Sequence, residues 1–375
     1  MLNFTPAAQG GLPVAGWVLT AMHAFAFGAR RCVGRALAVH SDDPDLTLLF
    51  ARAAVEFNRL QASLASVAAE GKYPDAKAGQ TLVIATLRDA FRKRVEGERN
   101  HRPASLTVYH LTNSGQGPDI SLYELDGRVV RFLARAESAR FRNEWNALVA
   151  QAWRREKVVE GKGKAKSERF ITPAAPDPAV IKNTLYDDLF QLPLQVSRFV
   201  KTHFLGRVDE ALHKNREDPR TQKRLRALQS THKWPLVELF LEEIVAMDKA
   251  RIETLRTVGD RIAARIQRGD RDLLRSLLQA SKYAGLRTRL IKSSALEVKA
   301  GRQPLLTFDE FIQIFEEAED VPYRDWSLAR DLLCLRVLEG LRDYFAANAE
   351  AAAELGAPSD DDSQDAHEAE QGASA

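Results

Sequence analysis

Apolar positions recur at helical spacing along most of the chain and at alternating spacing in one short stretch. In residues 44–70 the stripe Leu48, Leu49, Val55, Leu60 and Leu64 predicts an amphipathic helix that stops near Gly71. A second helix is predicted near 80–97, carrying Arg88, Arg92, Lys93 and Arg94. Residues 12–29 contain no Asp, Glu, Lys or Arg. That run predicts a helix buried on all sides, starting after Pro13 and ending near Gly28. Its Ala and Gly content, with Thr20 and His23, argues against a membrane span. No basic residue precedes it, so a signal peptide fits poorly and the expected location is cytoplasmic.

The period then changes. Residues 105–111 and 120–125 are rich in β-branched and aromatic side chains, and Thr112 to Asp119 between them is turn chemistry. Asp126-Gly127 and then 128–133 read as a further turn and strand. The expectation is a three-stranded antiparallel meander near 105–133, the one β region. Residues 136–155, with Trp145 and Trp153, return to helix. Residues 156–179 hold Gly161, Gly163, alternating lysines and three prolines, and read as a loop. From 180 onward the pattern is helical. The expected fold is α+β and predominantly helical, with an N-terminal helical region containing the meander and a C-terminal helical bundle. The expected division is 1–205, 206–356 and a tail, with the boundary near 205–235.

Charge changes this picture because it is uneven. The formal net charge is +3, but after Pro358 the chain carries six acids and no Lys or Arg. The body is therefore about +9 (3 + 6), and residues 357–375 are expected to be a disordered acidic tail. A basic body with an acidic tail favours a polyanion partner; a solubilising tail on an ordinary surface is the other reading. Two cysteines far apart, Cys32 and Cys334, exclude a disulfide scaffold and a cysteine-based zinc site. No phosphate-binding glycine loop, zinc-protease helix or nucleophile elbow is present. His40 with Asp42 and Asp43 could suggest a metal site, although a helix cap is the simpler use of either acid. The helix at 308–320 places Phe311, Ile312 and Phe315 inside and acids outside. The sequence gives no positive sign of catalysis.

Three basic features could meet nucleic acid. Residues 88–169 carry 18 Lys and Arg against 11 acids, and Lys162, Lys164 and Lys166 sit on a glycine-containing segment that could reach a duplex; a solvated linker is the other reading. The turn Asn113-Ser114-Gly115-Gln116-Gly117 combines glycines, which allow close approach, with amides that suit a base edge, although an ordinary hairpin turn uses the same residues. Residues 261–292 hold nine Lys or Arg and two acids. There Arg261, Arg265 and Arg268 share one helix face, and Arg275 continues the series. Such a row repels itself unless a polyanion neutralises it, a merely solvated face being the other reading.

Several strings resemble the large subunit of type I-B CRISPR-associated Cascade, a crRNA-guided surveillance complex. They are Asn3-Phe4-Thr5-Pro6 through Gly10-Gly11-Leu12-Pro13, Arg35 to Asp43, Val108 to Asn113 with its following turn, Arg131-Phe132-Leu133, and Trp326 to Asp331. The resemblance spans most of the chain and rests on family-typical strings rather than catalytic motifs. It departs from relatives with paired Cys-x-x-Cys motifs, so no structural zinc is expected. The resemblance implies a non-catalytic, cofactor-free subunit that contacts crRNA, target DNA and the backbone, crRNA 5′-end-capping and small subunits. Guide pairing would read the target, while the protein reads the adjacent motif (PAM) on duplex DNA and holds the displaced strand. A recruited helicase-nuclease would do the cutting. Carried over, Asn113 to Gly117 becomes the motif-reading loop and Lys162, Lys164 and Lys166 the duplex clamps. Arg261, Arg265, Arg268 and Arg275 would line the displaced strand in a small-subunit-like bundle. An internally translated small subunit starting at Met247 would have 129 residues (375 − 247 + 1), but such a start would cut the helix expected at 237–257. Two other readings stay open: a helical adaptor for acidic partners, and a metal-dependent nuclease using His40, Asp42 and Asp43.

Overall fold

A computed structural model describes residues 14–67, 75–93, 104–114, 117–154, 156–160, 167–171, 175–205, 234–316 and 326–348. The protein is α+β and mostly helical. The chain divides into two compact units, residues 1–138 with 152–191, and residues 139–151 with 192–375. The boundary expected near 205–235 falls almost wholly outside the described residues, and so does the acidic tail.

The first unit is built on a four-stranded antiparallel sheet in the order β1-β2-β3-β4. Its strands are β1 (Arg30–Cys32), β2 (Arg35–Ser41), β3 (Leu106–Ser114) and β4 (Gly117–Leu125). The expected meander supplies only β3 and β4. β1 and β2 had no visible signal, because Arg30-Arg31 and the Ala-rich Arg35 to Ser41 lack the β-branched alternation that marks a strand. One face of the sheet carries the core residues Leu37, Leu106, Val108 and Leu125; helix α3 (Gly79–Lys93) starts beside Leu37 and buries Val83, Ile84, Leu87 and Phe91. Helix α2 (Pro44–Val67) follows β2 and buries Leu46, Phe50 and Ala54. The stripe read from its sequence is turned partly outward, with Leu48, Leu60 and Leu64 exposed.

Two further expectations are corrected. The 12–29 run does form a helix, α1 (Gly16–Gly28), but it has no buried residue; Trp17 is 76% exposed, and Met22 and Phe27 also face solvent. It lies on α2, where the Asn58 side-chain amide donates to the carbonyls of Phe27 and Ala29, both at 2.9 Å. Among the described residues no helix is long and apolar enough to cross a membrane. Residues 128–133 are not a strand. They lie in α4 (Gly127–Ala136), whose N-cap Asp126 accepts a hydrogen bond from the Arg128 amide at 2.7 Å. Val129, Val130, Phe132, Leu133 and Ala136 are buried, a set that one helix face collects and a strand would split between two.

Residues 156–179 are not wholly loop either. β5 (Glu156–Glu160) and β6 (Ser167–Ile171) pair antiparallel. Helix α6 (Thr184–Leu189) completes the first unit.

The second unit takes α5 (Arg142–Gln151), with buried Trp145, although α5 precedes β5 in sequence. Its other helices are α7 (Val196–Phe199, running into a π-helical turn to Leu205), α8 (Trp234–Phe240, likewise to Val245), α9 (Lys249–Gln267), α10 (Arg271–Gln279), α11 (Tyr283–Lys299), α12 (Phe308–Phe315), α13 (Trp326–Gly340) and α14 (Arg342–Ala347). Helices α9 and α13 form the main pair. They bury Leu255, Val258 and Ile262 with Leu332, Leu333 and Val337. Phe199 and Phe240 stack at 5.2 Å between centroids, with Phe204 edge-on to Phe240. Phe311 and Phe315 of α12 are buried as expected, but Ile312 is only half-buried and Ile314 is buried in its stead. The helix expected over 237–257 is broken: Ala246 has φ +54°, Met247 lies in the break, and Asp248 caps α9 by accepting from the Ala250 amide at 3.0 Å.

Candidate nucleic-acid interface

The β3–β4 hairpin extends further than the sheet. Pairing of β2 with β3 ends at Ala36 opposite Leu111, but β3 and β4 continue through Thr112–Asp119 and Asn113–Pro118 to Ser114–Gly117. Residues expected to be turn are therefore mostly strand, and a two-stranded ribbon projects past β2. Within the candidate loop, Asn113 and Ser114 end β3 and Gly117 begins β4; Gly115 and Gln116 lie outside the described residues. The ribbon is anchored to β2 where Arg35 reaches Asp119 at 2.8 Å and Ser121 Oγ at 3.5 Å.

The turn joining β1 to β2 stands at the same end of the sheet. Its residues Val33 and Gly34 both have left-handed backbones, φ +51° and φ +72°. They are held there by the Val33 amide donating to the Ala76 carbonyl at 2.7 Å and the Gly34 amide donating to Asp75 Oδ2 at 2.8 Å. A β-branched residue is strained in this conformation.

Lys162, Lys164 and Lys166 lie outside the described residues. Their position in sequence is between paired strands, Glu160 opposite Ser167 being the last pair before them.

The four arginines of the second unit are described, and each is paired within the unit. Arg261 makes a two-pronged contact with Glu310, one arm at 3.0 Å, and also reaches the carbonyls of Pro304 and Leu305. Arg265 contacts Asp270 at 3.0 Å and Glu297. Arg268 contacts Glu297 at 2.8 Å, and Arg275 contacts Asp272 at 3.3 Å. The charge repulsion that argued for a polyanion along this row is therefore relieved by the protein's own acids. Burial pushes the Glu310 carboxyl upward, but the Arg261 hydrogen bond and the Thr307 cap outweigh it and leave it below its ordinary value.

Glu297 has an unusual setting. Its side chain is 1% exposed and is met by three guanidiniums: Arg265, Arg268 and Arg302, the last at 2.7 and 3.2 Å. The Arg302 hydrogen bond is the largest of the influences that hold its carboxyl below the usual range; burial acts the other way, and Arg265 and Arg268 add to the lowering. Arg302 and Arg289 were not among the sequence candidates. The available signal was a single acid, Glu297, inside a run of six Lys and Arg from 282 to 302.

In the first unit Arg88 is core rather than surface. It pairs with fully buried Glu137, which Arg92 also contacts at 2.7 Å, and it donates to the Tyr186 hydroxyl. Burial raises the Tyr186 pKa, with Arg88 opposing. The His40, Asp42 and Asp43 set does not gather. Asp42 accepts from Ser105 Oγ at 2.5 Å, which lowers its pKa, while Asp43 Oδ1 accepts from the Asp45 amide at 3.0 Å at the start of α2. Among the described residues no group of three or more His, Cys, Asp or Glu could hold a metal ion. Burial pushes the Cys32 thiol up to about 11 and the Cys334 thiol up to about 12. Both are protonated at neutral pH and unsuited to nucleophilic work.

No family model, curated protein or solved structure matches the chain.

Proposed function

We propose that this chain is the non-catalytic large subunit of a type I-B Cascade-like complex, cytoplasmic and without a cofactor. It would contact crRNA and the other subunits, read the adjacent motif on duplex DNA and leave cleavage to a recruited helicase-nuclease. The observation that carries the reading is the projecting β3–β4 ribbon, which pairs out to Ser114 opposite Gly117, within the candidate segment. A two-stranded ribbon fits a DNA groove, and a glycine at its end, Gly117, allows close approach to a backbone. Two of the strings behind the resemblance support it: Arg35 to Ser41 and Val108 to Asn113, far apart in sequence, are neighbouring strands, with Ala38 opposite Tyr109 and Val39 opposite Val108.

Met247 bears on the internally translated small subunit. It sits in the break before α9, so a product starting there would keep α9 whole and lose α8. N-terminal sequencing of a short co-purifying band is expected to read from Met247 or from an upstream non-AUG start. Absence of any such band ends that part of the proposal.

The deciding experiment is co-purification of the tagged chain with its operon neighbours and a guide RNA. A stoichiometric ribonucleoprotein that shifts a matched duplex is expected. A chain that elutes alone and binds bulk polyanions without regard to guide or motif would replace this reading with the adaptor.

A further inference from the structure

Among the described residues, the acids that neutralise the arginines of the second unit are unevenly shared. Arg261 and Arg275 each have an acid of their own. Around Glu297 and Asp270, by contrast, four guanidiniums (Arg265, Arg268, Arg289 and Arg302) meet two carboxylates, leaving two positive charges (4 − 2). Arg265 contacts both acids and so joins the six groups into one network. The acids are the inner members. The side chains of Glu297 and Asp270 are 1% and 14% exposed, whereas those of Arg268, Arg289 and Arg302 are 46%, 36% and 43% exposed. The unbalanced charge therefore lies on the solvent side. A guanidinium held by a buried carboxylate has already lost rotamer freedom, so it takes a second anion at lower entropic cost.

The chain supplies such an anion itself. After Pro358 it carries Asp360, Asp361, Asp362, Asp365, Glu368 and Glu370 and no Lys or Arg. The described chain also ends near the cluster. Helix α13 closes at Gly340, whose carbonyl accepts a hydrogen bond at 3.2 Å from the side-chain amide of Gln267, the residue before Arg268. Helix α14 then adds a length of about 9 Å before Asn348. Asp360 is 12 residues further on (360 − 348). A chain of that length spans at most about 40 Å, which is ample for a return to Arg268. A ligand tethered at this range has an effective concentration on the order of millimolar. Surface ion pairs that are weak one at a time can then hold a run of carboxylates in place.

We infer that the acidic segment after Pro358 docks on the Glu297 arginine cluster of its own chain, with Arg268 and Arg302 as its principal contacts. The docked segment closes the cluster to loosely held anions, and an anion that takes these arginines must first displace it. The inference does not depend on the RNA-guided reading. It is tested on the full chain without guide RNA or other subunits, so a failure to assemble with a guide and a failure of this contact are separate results.

The test is arginine footprinting. Phenylglyoxal modifies accessible guanidiniums, and peptide mass spectrometry reads the rate at each one. The full chain is compared with a full-length variant whose six acids become amides: Asp360→Asn, Asp361→Asn, Asp362→Asn, Asp365→Asn, Glu368→Gln and Glu370→Gln. Matching thermal melts confirm that both are folded. At 0.1 M salt the variant is expected to react about threefold faster or more at Arg268 and Arg302. The unaltered chain should show a similar rise when salt is raised to 1 M, where the screening length falls to about 3 Å. Arg128, exposed on α4 of the first unit, is the control and should change less than about twofold. Equal rates at Arg268 and Arg302 in the two proteins overturn the inference. So does an equal rise at Arg128, which would mean that the segment acts through overall charge. Protection that grows with protein concentration also overturns it, because the occupant would then be a second copy of the chain.

Discussion

At the residue scale, sequence spacing located the arginines but not their partners. Arg261, Arg265 and Arg268 follow from an i, i+4, i+7 count. Glu310 and Glu297 lie far along the chain, and only folding brings them across. The consequence for Glu297 is a pH dependence. Its folded pKa is depressed, so its contribution is present above its unfolded value of about 4.3 and is lost as pH falls below it. Acid titration of thermal stability should show a loss below about pH 4 that Glu297→Gln reduces. Val33 is the converse case, a residue ill suited to its own backbone. At φ +51° it stores strain, and its exposed side chain contributes little packing. Val33→Asn should raise stability by about 1 kcal/mol in a denaturant melt, because asparagine tolerates this region; a loss would mean that the side chain packs on something. Gly259 is required for a different reason. A Cβ there would lie 2.6 and 2.8 Å from the Arg336 side-chain carbons of α13, so Gly259→Ala should cost about 1–3 kcal/mol by forcing α9 and α13 apart.

At the element scale, the legible parts were those whose periodicity and stop signals agree: α2, α3, the β3–β4 pair and the helical second unit. α4 was misread because Asp126-Gly127 serves two purposes. After a strand it resembles a turn, yet the same Asp is an N-cap, and the apolar residues that follow repeat every three or four positions. Asp126→Ala should therefore cost about 1 kcal/mol in equilibrium unfolding without altering the β3–β4 ladder. β1 and β2 escaped because strand propensity reports packing on a pleated surface, which alanine and arginine do not announce. α1 was misplaced by the reverse error. Its uncharged run implies burial, but Trp17, Met22 and Phe27 are exposed, which no described residue explains.

At the scale of the whole molecule, the candidate surfaces separate by unit and need not act together. In the first unit the β3–β4 tip would read a duplex. In the second, the four arginines that the resemblance assigns to the displaced strand are paired with the protein's own acids. Replacing Asn113 and Gln116 by alanine tests that separation. If the tip reads bases, loss of both amides removes hydrogen bonds to base edges, each bidentate pair being worth about 1–3 kcal/mol of discrimination. Binding of the assembled complex to duplexes carrying the correct adjacent motif should then fall about tenfold or more. Binding to single strands without the motif depends on phosphate contacts made elsewhere and should stay nearly intact. Electrophoretic mobility shifts on the two substrates, run at one salt concentration, give both values. Equal loss on both would mean that the double variant disturbs the ribbon itself, anchored by Arg35 and Asp119, and that the tip is not the reader. No loss on either would leave motif recognition to another surface of the complex.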